Sequence, residues 1–229
     1  MLERTAVLVG LIGEAFLLGV LGWMGWLWWR TPGIVHRAEE EVVEPLDADD
    51  LPAGRIEDLL AVEDPGFFDH RGIDVSTPGA GWTTITQGLA KDLYFDAFRP
   101  GPLAKLEQSL AALVLDARIP KERQLALFLG GAYLGESDEG AVNGFGPAAR
   151  AWLGKDVREL DRREFLSLVA MAIGPNEYGI SSRPAQNAER VARIERLLAG
   201  RCRPSGWRDV TYERCATGRP ASAPAAGGS

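Results

Sequence analysis

Residues 62–72, VEDPGFFDHRG, gather Glu63, Asp64, Asp69 and His70 around Phe67 and Phe68, with Gly66 and Gly72 breaking the backbone regularity. These are side chains that move protons or hold cations. A carboxylate beside apolar rings suits general-base catalysis, because poor solvation raises its pKa toward neutral pH. The same residues fit an acidic surface loop or a metal cluster, and the stretch by itself leaves all three open.

Composition removes some chemistry. Two cysteines and two histidines are too few for a zinc site with the usual Cys/His ligand count. A net charge of -7, with no basic stripe, argues against a nucleic-acid partner. The 229 residues, 46% apolar and 25% charged, suit one globular domain with appendages.

The elements that must carry these residues read as helices. AGRIEDLLAV (53–62) spaces Ile56, Leu59, Leu60 and Ala61 as a short helix leading into Glu63. TTITQGLAKDLYF (83–95) sets Ile85, Leu89 and Leu93 four apart on one face. Residues 101–119 carry an apolar stripe of Leu103, Leu106, Leu110, Leu113 and Ala117, with Lys105, Gln108, Ala112 and Asp116 on another face. Pro120 opens a helix over 121–129, and Asp161 with Glu164 forms a capping-box pattern at the head of 161–175. Pro184 and Gly200 bracket a last helix. No strand signal of comparable strength is present, so a mainly α fold is expected.

From Thr5 to Trp29 the chain carries one charge, Glu14, between Arg4 and Arg30. As a helix this run is roughly 37 Å long, enough to cross a hydrocarbon core of ~30 Å. No small-residue cleavage pattern closes it, so residues 1–30 read as an uncleaved transmembrane anchor. Trp23, Trp26, Trp28 and Trp29 would form an aromatic belt, with the N-terminus inside and the bulk of the chain outside. Glu14 is either tolerated in the span or contacts a partner helix. Residues 31–50 read as an acidic linker, 51–200 as the domain and 201–229 as an extension. In the extension, Cys202 and Cys215 fit a stapled hairpin in an oxidising compartment, and a low-complexity tail starts at Ala216.

Taken in order, the stretches resemble the glycosyltransferase family 51 domain. This is the peptidoglycan polymerase domain of class A penicillin-binding proteins and of monofunctional transglycosylases. VEDPGFFDHRGID is similar to the family's first motif, and GWTTITQGLAKD to its second, G-[GA]-S-T-[IL]-T-Q-Q-L-x-K-N. AKLEQSLAALVLDARIPKERQLALFLGGAYLG resembles the third motif and the helix that follows. GFGPAARAWLGKDVRELDRREFLSLVAMAIGPNEY resembles the fourth and fifth, so the likeness runs from about Leu51 to Leu198.

The resemblance implies a lysozyme-like transglycosylase fold and a role for Glu63 as general base. Glu63 would take the proton of the acceptor sugar's 4-hydroxyl as lipid II is polymerised with inversion and undecaprenyl pyrophosphate leaves. Lys91 and Lys105 stand at phosphate-contacting positions, Thr84, Thr86, Gln87 and Asp92 at polar contacts, and Asp64 and His70 shape the loop. Read without the resemblance, both lysines are solvated surface charges and His70 a loop brace. Leu93, Tyr94, Phe95 and Phe98 read either as core or as an edge dipping into the membrane.

The implied partners are lipid II, the growing glycan strand, the inner membrane and other cell-wall synthases. A divalent cation, Mg or Mn, at the pyrophosphate is the implied cofactor. The implied location is a single-pass inner-membrane protein with its domain on the periplasmic side. With 29 residues after Gly200, a monofunctional member without a penicillin-binding domain is expected.

Four positions depart from the family pattern. Gln108 stands where the third motif has a second catalytic glutamate, and Glu107 beside it points about 100° away on a regular helix. Gly88 replaces the second glutamine of the second motif, Gly130 replaces an asparagine, and the segment from His70 to Gly81 is short. Three functions therefore stay open: a polymerase using Glu63, a weakened module that binds lipid II or glycan for another polymerase, and a lytic transglycosylase.

Overall fold

The computed structural model describes residues 2–216, and its first element is one helix, α1 (Leu2–Glu41). Val9–Glu41 is long and apolar enough to cross a membrane by length and composition. Val9, Leu11, Ile12, Phe16, Leu17, Leu18 and Leu21 are all exposed, as expected of a helix that is apolar on every side. Trp26, Trp28 and Trp29 are also exposed, whereas Trp23 packs partly against the core.

The helix does not stop at Pro32. Proline has no N–H to give the carbonyl of Trp28, four residues back. Arg118 fills that gap: its Nε donates to Trp28 O at 3.2 Å, and its guanidinium lies 4.8 Å over the Trp28 ring. Leu27, Thr31 and Val35, successive on one face, are buried where α1 meets α3 (Ile85–Tyr94) and α4 (Pro102–Arg118). Thr31 Oγ1 donates to Leu27 O, leaving the Tyr94 hydroxyl to donate to Thr31 at 2.7 Å.

The acidic stretch 31–50 is thus helical as far as Glu41, and its carboxylates are tied to the domain. Glu39 pairs with Arg123, Glu44 with Arg150 and Asp50 with Arg158. Gly130 explains how the chain lies so close: a Cβ there would sit 2.6 Å from Val42 Cγ1. The glycine found in place of an asparagine is the notch that seats the segment after α1.

Within the domain, α2 (Arg55–Glu63), α6 (Phe145–Leu153), α9 (Pro184–Leu198) and the hairpin pack around α7 (Arg162–Ala172). Phe165, Leu166, Leu168, Val169, Ala170 and Met171 of α7 are buried, which makes it the central helix. Asp161 and Glu164 form the expected capping box, and α5 (Lys121–Gly131) follows Pro120. α7 ends at Ala172, and the short α8 (Pro175–Tyr178) opens with Pro175 after Gly174.

Three features differ from expectation. The leucine stripe of α4 faces outward, with Leu103, Leu106 and Leu113 exposed. The face bearing Gln108, Ala111, Ala112 and Leu115 is the buried one, and Gln108 on it donates to Gln87 O of α3. An antiparallel hairpin, β1 (Tyr133–Ser137) and β2 (Gly140–Asn143), lies in a stretch with no strand pattern. Its strands are short and glycine-rich, and tertiary packing rather than alternation holds them. Finally, Cys202 and Cys215 are disulfide-bonded, but the segment they enclose is irregular loop ending in a 3-10 turn at Glu213–Cys215, not a hairpin. The tail from residue 217 lies outside the described residues.

Candidate active site

Glu63 is the last residue of α2, where the carbonyl end of the helix disfavours a negative charge. Its Oε1 is shielded from water and makes no hydrogen bond among the described residues. Burial pushes its carboxyl up to about 7; nearby Arg190 acts against that rise and Asp64 adds to it. Glu63 lines a cavity of about 430 Å³ with Trp82, Thr83, Lys91, Arg190 and Val210. A half-buried carboxyl with one shielded oxygen, poised near neutral pH at a cavity wall, can accept a proton from a bound hydroxyl.

The next residues hold that carboxylate in place. Asp64 is fully buried and accepts from the Ile85 amide at 2.9 Å and from His70 Nε2 at 3.0 Å. The Gly72 amide donates to His70 Nδ1 at 3.0 Å, so the ring proton is on Nε2 and goes to Asp64. Both ring nitrogens are therefore engaged, and His70 is a brace. Lys121 extends the brace by pairing with Asp116 at 2.7 Å and lying 4.4 Å over the Phe67 ring. Thr84 and Gln87 form a reciprocal capping box at the start of α3, and the Thr84 hydroxyl donates to Gly72 O at 2.7 Å. Turn, helix start and the Asp64 that follows Glu63 are thus one hydrogen-bonded unit.

The short 70–81 segment is completed by the C-terminal extension. Gly79 and Gly81 amides donate to Gly206 O at 3.1 Å and Trp207 O at 2.6 Å. Trp82 and Trp207 meet edge to face, with the Arg208 guanidinium over both rings. Tyr212 is fully buried and its hydroxyl donates to Val62 O at 2.6 Å, while Arg190 Nη1 donates to Val210 O at 3.1 Å. The disulfide-closed loop therefore supplies one wall of the Glu63 cavity.

A second cavity, of about 360 Å³, is lined by Trp82, Thr83, Gly88, Lys91, Phe98, Lys105 and Gln108. Trp82, Thr83, Gly88 and Lys91 line both cavities, which makes them two lobes of one groove. Lys105 Nζ donates to Thr83 Oγ1 at 3.1 Å and to Gln108 Oε1 at 3.2 Å, and burial pushes its pKa down. Lys91 is half-buried and pairs with Asp92 at 3.1 Å. Two cations on one lobe and a raised carboxyl on the other match a reaction that develops negative charge at one end and releases a proton at the other.

The residues present do not fit a divalent cation in the second lobe. Gln108 Nε2 donates to Gln87 O at 2.7 Å, and its Oε1 faces the Lys105 ammonium, so neither end is free as a ligand. Glu107 and Asp92 line neither cavity. Among the described residues no group of three or more His, Cys, Asp or Glu side chains could hold a metal ion.

Of the residues singled out from the sequence, Glu63, Thr84, Lys91, Lys105 and Gln108 reach the groove. Asp64, His70, Thr86 and Gln87 are internal. Thr86 donates to Gln124 at 2.7 Å and Gln87 Nε2 to Ser109 at 2.9 Å. Asp92 is exposed, Leu93, Tyr94 and Phe95 pack partly against the core, and Phe98 lines the second lobe. Arg190, Trp82, Trp207 and Lys121 were missed: each sits in an ordinary helical or loop context, and only the fold brings them to the groove or its brace.

Residues 32–199 match the family described as Transglycosylase. The chain is similar to penicillin-binding protein 1B of Vibrio cholerae serotype O1, 33% identical over 159 residues, which cover 64% of this chain and 20% of that protein. It is 32% identical to penicillin-binding protein 1B of Escherichia coli K12, over 62% of this chain and 18% of that protein. With penicillin-binding protein 1F of Bacillus subtilis it shares 29% identity, over 64% of this chain and 22% of that protein. The chain spans about a fifth of the length of these relatives. Because the family match opens inside α1 and runs to the end of α9, taking in both lobes of the groove, this chain belongs to the transglycosylase family, with its mainly α, lysozyme-like domain.

Proposed function

We propose that this chain is a peptidoglycan glycosyltransferase that polymerises lipid II into glycan strands, with Glu63 as general base. The observation that carries the reading is the unpartnered Glu63 Oε1 on a groove whose other lobe presents Lys91 and Lys105. The acceptor's 4-hydroxyl gives its proton to Glu63, and its oxygen attacks the donor's anomeric carbon from the face opposite the leaving group. The bond from that carbon to the diphosphate oxygen breaks with its electron pair, and the lysines offset the charge that undecaprenyl pyrophosphate carries away. A single displacement inverts the anomeric carbon.

α1 anchors the chain in the inner membrane, with the domain on the periplasmic side. This reading is supported by the exposed apolar surface of α1, the disulfide, and the outward leucines of α4 beside the anchor. Lipid II and the growing strand are the partners, with other cell-wall synthases in the same membrane. Gln108 supports a second reading, a weakened domain that holds lipid II or glycan for another polymerase.

Incubation of the full chain with fluorescent lipid II in detergent separates these functions. Polymer from the wild type that is lost in Glu63→Gln is the expected result. Polymer from Gln108→Glu alone would assign the binding role instead. Anhydro-muropeptides released from sacculi would overturn both in favour of cleavage.

A further inference from the structure

Lys105 gives the second lobe a positive charge that no carboxylate cancels, whereas Lys91 beside it is paired with Asp92. Lys105 is half-buried, has no acidic side chain within ion-pair distance among the described residues, and uses two of its three N–H groups on Thr83 and Gln108. The third is left for a ligand. Gln108 is bound at both ends: its amide N–H serves Gln87 O, and its carbonyl serves Lys105. A carboxylate at this position could not donate to Gln87 O and would neutralise Lys105. The position is thus built for an amide. Gly88 borders the same lobe, and a Cβ there meets nothing within 4 Å, so the space beside Lys91 and Lys105 is open.

We propose that this lobe binds a lipid-linked diphosphate directly on Lys105 and Lys91, with Gln108 as the residue that positions Lys105 and with no divalent cation taking part. The identity of the diphosphate rests on the glycosyltransferase reading above; the cation-free mode rests on the Gln108–Lys105–Thr83 geometry. Two ammonium groups replace the bridge that a carboxylate-held cation would form, and the free third N–H of Lys105 makes a charge-assisted hydrogen bond to a phosphate oxygen.

The test is calorimetric binding of undecaprenyl diphosphate to the full chain in detergent micelles, with EDTA and then with Mg or Mn. The wild type is expected to bind in EDTA, with affinity unchanged or weaker once cation is added. Lys105→Ala is expected to weaken binding by about tenfold or more, whereas Lys105→Arg keeps most of it. Gln108→Glu is expected to bind poorly in EDTA and to recover with Mn, a response that a purely structural role for Gln108 would not produce. Wild-type binding that requires Mg or Mn would overturn the proposal, and so would absence of binding in both conditions. Unchanged binding by a folded Lys105→Ala would also overturn it. Cation-free binding without polymer would defeat the polymerase reading and leave this proposal standing. Polymer that stops in EDTA, with binding lost as well, would do the reverse.

Discussion

The two lobes of the groove are built on opposite physical plans. Around Glu63, buried Asp64, His70, Gly72, Thr84 and the α3 amides form a closed hydrogen-bond network, and the disulfide loop presses on it through Tyr212 and Val210. Around Lys105 the contacts are few, the lysines are half-buried, and Gly88 leaves open space. A proton acceptor must be fixed within hydrogen-bond reach and poorly solvated, which demands dense packing. A diphosphate site needs long-range charge and room for a mobile group, which tolerates looseness. Of the departures from the family pattern, Gln108 lines the loose lobe alone and Gly88 borders both, while the Glu63 side keeps Glu63, Asp64 and His70.

The largest effect is expected at the dense end. Glu63→Gln should lower polymerisation by about 10²–10⁴-fold in the lipid II assay, and a loss below tenfold would break the contrast. Because the base must be ionised, wild-type rate should climb with pH and level off above about 7. The same group gives a stability slope of known sign. The folded carboxyl keeps its proton to about 7 while the unfolded one loses it near its ordinary 4.5, so stability falls as pH rises through that window and then flattens. Urea titrations at several pH values should show the slope in the wild type and not in Glu63→Gln.

Asp64→Ala leaves the His70 Nε2–H and the Ile85 amide without their acceptor and should cost about 2–4 kcal/mol in urea unfolding. A loss near zero would mean that the network does not hold the base loop. Replacing both Cys202 and Cys215 by serine should cost about 2–3 kcal/mol, read as a lower melting temperature. It should impair polymerisation while leaving diphosphate binding in place, which sharpens the division between lobes. The smallest effect belongs to the loose end: Gly88→Ala should add about 0.5–1 kcal/mol of stability, since α3 gains a better helix former and nothing crowds the methyl group. A destabilised Gly88→Ala would show that the lobe is tighter than its geometry implies.

Helix α1 shows what is lost when an element is read from the chain alone. Pro32 and the acids after it look like the end of a helix and the start of a linker. Arg118, 90 residues from Trp28, takes the place of the missing N–H, and Arg123 and Arg150 hold the acids. None of these partners is local. The α4 stripe makes the same point: its 3.6-residue period is plain, but the leucines face outward and the face that meets α3 is the one bearing Gln108.

By itself the amino-acid sequence determined α2 to α5, α7 and α9, whose periodicity and caps are local, and the spacing that puts Glu63 beside its bracing acid and histidine. It also determined the apolar run of α1, because hydrophobic length needs no partner to be read. Only the tertiary structure decided which of the marked side chains face the groove. It turned Thr86 and Gln87 inward, brought Arg190 and the disulfide loop to Glu63, and gave Gln108 both of its hydrogen-bond partners. Side-chain direction and desolvation are set by whatever packs from distant parts of the chain, and spacing along the sequence carries no record of that.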